Sequence, residues 1–166
     1  MYMHIKRASS LLLLTGLLVT GCTKQKGFGY GTDNVPSKAI TVQNANDYRP
    51  DPTITVSLSG PGTITITLSL AATSGRTIKE ITHVAASTTY SKIQGSTGFY
   101  NAAPIAGSGT TVTFTTSLTE YLSKFPSPPN PAPKVNTELA NRFYFLVTLD
   151  DNSTVITFPV RILVVA

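Results

Sequence analysis

Few side chains of this sequence are of a type that catalysis or metal binding needs, and those few lie far apart. His83 is the only histidine besides His4, and no serine or cysteine motif accompanies it. A single histidine makes neither a catalytic triad nor a metal site, so we expect it on a strand surface or satisfied in a core. Glu80, Glu120 and Glu138 are too widely separated to identify a carboxylate pair. The sequence therefore predicts no catalytic residue, no metal site, no cofactor and no enzyme.

One cluster of oxygen-bearing side chains deserves a separate test. Asp150, Asp151 and Asn152 follow one another, and loops rich in such residues bind Ca²⁺ in many extracellular β-modules. Three side chains of one tight turn cannot all converge on a single ion, however. Aspartate and asparagine are also common in turns for conformational reasons. Turn chemistry is the favoured interpretation.

Three aromatic residues are the candidate binding residues. Tyr90, Phe99 and Tyr100 lie within residues 86–109, a stretch rich in Ser, Thr and Gly that predicts a long loop or short edge strands. Their rings could stack on sugars or anchor a protein interface. The alternative is that they plug the open side of a β-domain. The chain has no Trp, the preferred platform for sugars, which weakens the carbohydrate interpretation.

The charge pattern excludes one class of partner. The formal net charge is +5, and subtracting Lys6 and Arg7, which we expect to be removed with a signal peptide, leaves +3. The remaining basic residues are scattered singly, without the stripe or cluster that nucleic-acid binding requires. We therefore expect no nucleic-acid partner. The single cysteine, Cys22, excludes a disulfide within the chain.

The first residues have the organisation of an export signal. Residues 1–10 contain Lys6 and Arg7 and no acidic residue, and residues 11–19 are almost wholly apolar. The apolar run is about half of the ~20 residues that a permanent membrane helix needs. Residues 1–21 are therefore predicted to be a signal peptide.

The residues that follow specify the type of signal. Val19, Thr20 and Gly21 precede Cys22, and this order resembles the lipobox of bacterial lipoproteins. The resemblance implies cleavage before Cys22, lipidation of its thiol and a lipid anchor in the cell envelope, in the outer membrane. Surface-exposed lipoproteins of the Bacteroidota often have an acidic run after the cysteine, whereas residues 23–26 here are Thr-Lys-Gln-Lys. Whether the protein faces the periplasm or the exterior stays open.

The anchor is followed by a predicted tether, residues 22–52, and by a predicted globular domain, residues 53–166. The tether contains scattered Gly and Pro and little alternation, except at residues 39–42, which could add an edge strand. A flexible linker of this length reaches roughly 30 Å. That length would hold the domain clear of the lipid headgroups.

Alternation of apolar residues with Thr or Ser predicts strands throughout the domain. Residues 54–58 and 64–70 alternate on either side of Gly60-Pro61-Gly62, which predicts a hairpin with one buried face. Residues 78–84 predict a less regular strand with a possible bulge, and residues 111–115 another strand. The composition, rich in Thr, agrees with an all-β domain.

A helix and two strands complete the predicted domain. Ser117 and Glu120 have the spacing of a capping box, and Leu118, Tyr121, Leu122 and Phe125 predict a short helix that ends at Pro126. Residues 143–149 and 156–164 alternate on either side of a tight turn at Asp151-Asn152, with Phe158 on the apolar face of the last strand. Pro159 cannot donate to a ladder and places this strand near an edge.

These elements predict an all-β, two-sheet antiparallel sandwich with one short helix before the penultimate strand. Residues 141–165 resemble the final hairpin of the immunoglobulin-like or PKD-like domains of Bacteroidota lipoproteins. The core Trp and the Cys pair of the immunoglobulin family are both absent. The lipid anchor, the flexible tether and a Thr-rich β-domain without catalytic chemistry together predict a non-enzymatic accessory lipoprotein, a spacer or protein-interaction module that binds an envelope protein. The alternative function is a glycan-binding module for polysaccharide capture, with Tyr90, Phe99 and Tyr100 as stacking residues.

Overall fold

The computed structural model of the chain describes residues 39–48 and 50–166. The chain divides into two units, Met1–Pro36 and Ser37–Ala166, and all described residues belong to the second. The predicted signal peptide, Cys22 and the first part of the predicted tether lie outside the described residues. Residues 39–52 of that tether, except Arg49, are described, and they include the strand Ile40–Val42.

The predicted all-β sandwich with one short helix is confirmed, and its strands form three sheets. Three strands, β1 (Ile40–Val42), β3 (Thr63–Leu70) and β6 (Thr111–Ser117), form one antiparallel sheet in the order β1-β3-β6. A second sheet has the order β2-β10-β7, with β2 (Thr53–Ser57), β7 (Thr137–Glu138) and β10 (Arg161–Val165). The third has the order β5-β4-β8-β9, with β4 (Ile78–Ser87), β5 (Ile105–Ala106), β8 (Arg142–Leu149) and β9 (Thr154–Ile156). The side of this third sheet that faces away from the main core is called the outer face, and Ala85 and Tyr144 lie on it.

Period-two patterning determines which side chains form the core. In β3 the even-numbered apolar residues are buried while the threonines between them face outward. The inner faces of the sheets meet through aromatic contacts, such as Phe114 of β6 against Phe145 of β8, whose ring centroids lie 5.5 Å apart. The predicted bulge in the third strand is present, since the register of β4 against β8 shifts between Ile78 and Glu80 and again between Ile81 and His83.

The predicted hairpin of the first two alternating runs is wrong. β2 pairs with β10 in parallel, whereas β3 pairs with β1 and β6. The intervening turn therefore carries the chain from one sheet to another. At Gly62, φ is +56° and a Cβ atom would lie 3.0 Å from the Leu118 side chain, so glycine is required for both the turn and the packing. Alternation identifies the buried face of a strand and leaves its hydrogen-bonding neighbour undetermined.

The predicted continuous last strand is also wrong. The chain turns at Asn152, with φ of 61°, as expected, and β9 pairs with β8, but the ladder ends at Ile156. After Pro159 the chain continues as β10 at the centre of another sheet, between β2 and β7. Phe158, predicted on the buried face, is 73 % exposed. Proline has no N–H to continue a ladder, so the strand divides there. Of the two resulting strands, β9 lies at the edge of its sheet and β10 lies at the centre of another.

The predicted helix is confirmed as α1 (Leu118–Lys124). The Ser117 hydroxyl accepts a hydrogen bond from the Glu120 N–H at 3.1 Å, which caps the helix as the capping-box spacing predicts. Leu118 and Tyr121 are buried in the core. The Tyr121 hydroxyl accepts a bond from the Asn141 N–H at 3.1 Å, and burial raises the pKa of this phenol. The described residues also include two 3₁₀ helices, η1 (Ala72–Ser74) and η2 (Tyr90–Gln94).

Candidate functional site

The three predicted aromatic residues lie in three different environments. Tyr90 opens η2 above the outer face, and its side chain is 46 % exposed. Its ring meets the ring of Tyr144 edge-on, with centroids 5.9 Å apart. Beneath it, η2 inserts Ile93 against Ala85 and Tyr144, which makes a second small core on the outer face of the sheet. Tyr90 is thus held in place while much of its surface remains in solvent.

Phe99 is half-buried and stacks on the one histidine of the domain. The rings of Phe99 and His83 are almost parallel, 8° apart in plane and 3.8 Å apart at their centroids. His83 therefore packs on the outer face as a strand-surface residue, as its isolation in the sequence predicts. Among the described residues, His, Cys, Asp and Glu make no cluster of three or more that could hold a metal ion.

Tyr100 belongs to the core. It is 5 % exposed, and its ring meets Phe143 at 5.3 Å and Phe114 at 5.8 Å, both edge-on. Its hydroxyl is hydrogen-bonded to the Thr116 hydroxyl at 2.7 Å. Burial raises the pKa of Tyr100 to about 12. Tyr100 therefore fills the interior of the sandwich, as the alternative interpretation expects. A sugar cannot stack on this buried ring without displacing its neighbours.

A pocket nevertheless joins two of the predicted residues. It has a volume of about 340 Å³ and opens between η2, the loop that follows it and α1. Its walls are formed by three aromatic residues, two lysines, one alanine and one glycine: Phe99, Tyr100, Phe125, Lys92, Lys124, Ala86 and Gly98. The sequence pattern did not identify these two lysines as site residues, because each is an isolated charge of the kind typical of a solvated surface. Only the packing of α1 against the 86–109 region brings them to one pocket.

The two lysines of the pocket differ in their surroundings. The Lys124 ammonium lies 4.8 Å from the centroid of the Tyr100 ring, in a cation–π arrangement, and 3.8 Å from Glu120 Oε1. The other oxygen of that carboxylate accepts a hydrogen bond from Thr116 at 2.9 Å. Lys92 takes part in none of the ion pairs formed between described residues. Its ammonium lies against the backbone of Gly98.

A second surface feature lies on the outer face, and we call it the outer patch. It consists of apolar side chains on η2, β8 and β9, with Tyr144 buried beneath the others: Tyr90, Tyr144, Leu146 and Ile156. Leu146 and Ile156 pair across the strands and pack on the small core beneath η2. Phe158 follows β9. It lies along the chain between Ile156, which pairs with Leu146, and Val160, which bridges Phe143.

The acidic turn has a structural role. Asp151 forms an ion pair of 3.1 Å with Arg76, and its Oδ1 accepts the Ser153 N–H at 3.0 Å. Asn152 Oδ1 accepts a bond from the Lys79 ammonium at 3.0 Å. The side chains thus serve the turn and neighbouring cations, as the turn interpretation expects.

No family model matches this chain, and no curated protein matches it. In the part of the chain that the structure describes, the helices are all too short to cross a membrane. The geometry of the pocket and of the outer patch is therefore the basis for any functional argument.

Proposed function

We propose that this chain is a membrane-anchored accessory lipoprotein of the cell envelope, lipidated at Cys22, with a sandwich that acts as a non-enzymatic protein-interaction module. The observation behind the interaction role is Phe158, which is 73 % exposed and lies two residues after Ile156 of the outer patch. Exposed aromatic side chains grouped with other apolar groups are typical of protein interfaces. Burying such a phenylalanine in a complex stabilises it by about 1.5–3 kcal/mol. A pure spacer would gain nothing from this surface.

The interaction role is tested by capture from an envelope extract. The full chain in detergent serves as bait, as wild type, as Phe158→Ser and as Val135→Ser. Val135 is a matched control, because it is also exposed but lies in the turn after the proline-rich residues 126–133. We expect one envelope protein to be captured by the wild type and the control and lost with Phe158→Ser. Equal capture by all three, or no specific capture, would contradict the proposal.

The anchor is tested separately. In cells, Cys22→Ser removes the thiol that lipidation requires, so the variant is expected in the soluble fraction while the wild type sediments with membranes. A variant that still sediments with membranes would show that the anchor is not at Cys22. This result would leave the interaction role of the sandwich unaffected.

Glycan binding is the second candidate function, and the pocket favours it. Phe99 and Phe125 both line a concave surface of about 340 Å³, and sugar rings bind to aromatic walls of this kind. The test is retention on immobilised polysaccharides. Phe99→Ala removes a wall of the pocket and should lower retention. His83→Ala removes the same stacking contact from outside the pocket and should not. Retention that is unchanged by Phe99→Ala argues against glycan binding here.

A further inference from the structure

We propose that the pocket between η2 and α1 binds an acidic sugar residue, one with a carboxylate or a sulfate group on its ring. This inference rests on the glycan-binding function and names the class of sugar. Two observations support it: two lysines line a pocket that also has aromatic walls, and a nearby carboxylate compensates the charge of only one of them.

The charge of the pocket is positive. Lys92 and Lys124 both line it, and Glu120, 3.8 Å from Lys124, compensates only one of them. The phenol of Tyr100 adds no negative charge, because a phenol is protonated at neutral pH. A ligand that brings one anionic group into the pocket would therefore complete the charge balance and make charge-assisted hydrogen bonds to the ammonium groups.

The Lys92 ammonium lies close to the backbone of Gly98, where φ is +73°. A side chain at this position would strain the loop and displace the ammonium. Gly98→Ala therefore moves the Lys92 charge without removing it, whereas Lys92→Gln removes the charge.

The aromatic walls favour a sugar over an acidic peptide. An aspartate or glutamate side chain needs only the ammonium groups, whereas a sugar also places its C–H faces against rings such as Phe99 and Phe125. The volume of about 340 Å³ is near the lower end of the ~300–1,000 Å³ usual for small-molecule sites. It suits one sugar residue of a polymer.

The experiment measures binding of the full chain in detergent to three polysaccharides. These are polygalacturonate, which has carboxylates, dextran sulfate, which has sulfates, and neutral dextran; polyglutamate is added as an anionic polymer without sugar. The variants are Lys92→Gln, Gly98→Ala, Phe99→Ala and the control Lys134→Gln, which removes one positive charge just after the proline-rich residues 126–133. We expect one anionic polymer to bind, with a roughly tenfold loss for Lys92→Gln, as for a lost charged hydrogen bond, a similar loss for Gly98→Ala and little change for the control.

Each other outcome overturns a defined part of the proposal. Equal losses in Lys92→Gln and Lys134→Gln would show general attraction to a cationic protein and overturn the pocket as the site. Binding of dextran as tight as that of the anionic polymers, still lowered by Phe99→Ala, would overturn the acidic class while glycan binding stands. Binding of none of the three polymers would overturn this inference, and neutral glycans beyond dextran would then decide the glycan function itself. Binding of polyglutamate with the same dependence on Lys92 and no dependence on Phe99 would overturn the sugar class.

Discussion

Replacing Tyr100 by alanine separates a binding role from a structural one. If Tyr100 were a stacking residue on an exposed loop, Tyr100→Ala would abolish ligand binding and leave the fold intact. In the structure the side chain is 5 % exposed and hydrogen-bonded to Thr116. We therefore expect the substitution to lower the free energy of unfolding substantially, whatever ligand the protein binds.

The magnitude follows from the contacts. Truncating a buried aromatic side chain to alanine costs about 3–5 kcal/mol, and Tyr100 also loses edge-on contacts with Phe114 and Phe143. We expect a loss of about 4 kcal/mol, a large share of the ~5–15 kcal/mol typical of a domain. Tyr90→Ala is the matched control, since Tyr90 is 46 % exposed and has one ring contact. Its expected loss is about 1 kcal/mol.

Urea unfolding followed by circular dichroism gives both free energies directly. Thermal unfolding should show the same order, with Tm lowered on the order of 10–20 °C for Tyr100→Ala and by a few degrees for Tyr90→Ala. If the two variants lose equal stability, to within about 1 kcal/mol, the placement of Tyr100 in the core is wrong. A Tyr100→Ala variant that unfolds with the free energy of the wild type but does not bind ligand would instead restore Tyr100 as a binding residue.

Three further predictions concern single features of the fold. Tyr100 has a pKa raised from 10.0 to about 12, so its contribution to stability is complete below pH 10 and is lost as pH rises toward 12. Between pH 10 and pH 12, the free energy of unfolding in urea should therefore fall less steeply with pH for Tyr100→Phe than for the wild type. Equal slopes for the two proteins would contradict this prediction. Ser117→Ala, which removes the cap of α1, should cost about 1 kcal/mol in the same assay, whereas Ser123→Ala, a site within the helix, should cost less. Gly62→Ala should lower Tm by several degrees, since φ is +56° and Leu118 is in the way; Gly60→Ala, with φ of +86° and open space around it, should lower it less.

The parts of the fold that local physics determines could be predicted from the sequence. Alternation in residues 64–70 identifies the buried face of β3, and the spacing of Ser117 and Glu120 identifies the start of α1. The turn at Asn152 follows from the tolerance of asparagine for positive φ. Each of these depends on residues within a few positions of one another.

The parts that depend on distant neighbours could not be predicted in this way. A hairpin and a crossover between sheets have the same alternation around Gly60-Pro61-Gly62, and only the parallel partner of β2, which lies more than a hundred residues later in β10, distinguishes them. The same limit applies to the site. The sequence identifies Phe99 as aromatic, but its neighbours Lys92 and Lys124 come together only through the packing of α1.

The parallel pairing of β2 with β10 has a mechanical consequence. Residues 53–57 and 161–165 lie side by side, and the two strands run in the same direction. A force applied ahead of β2 and opposed by a force at Ala166 would therefore pull the two strands past each other lengthwise. The hydrogen bonds of this ladder would then bear the load together, whereas a hairpin pulled from its open end loses them one at a time. A domain that is held at its amino-terminal side and pulled from its carboxyl-terminal side would resist extension through this pair of strands.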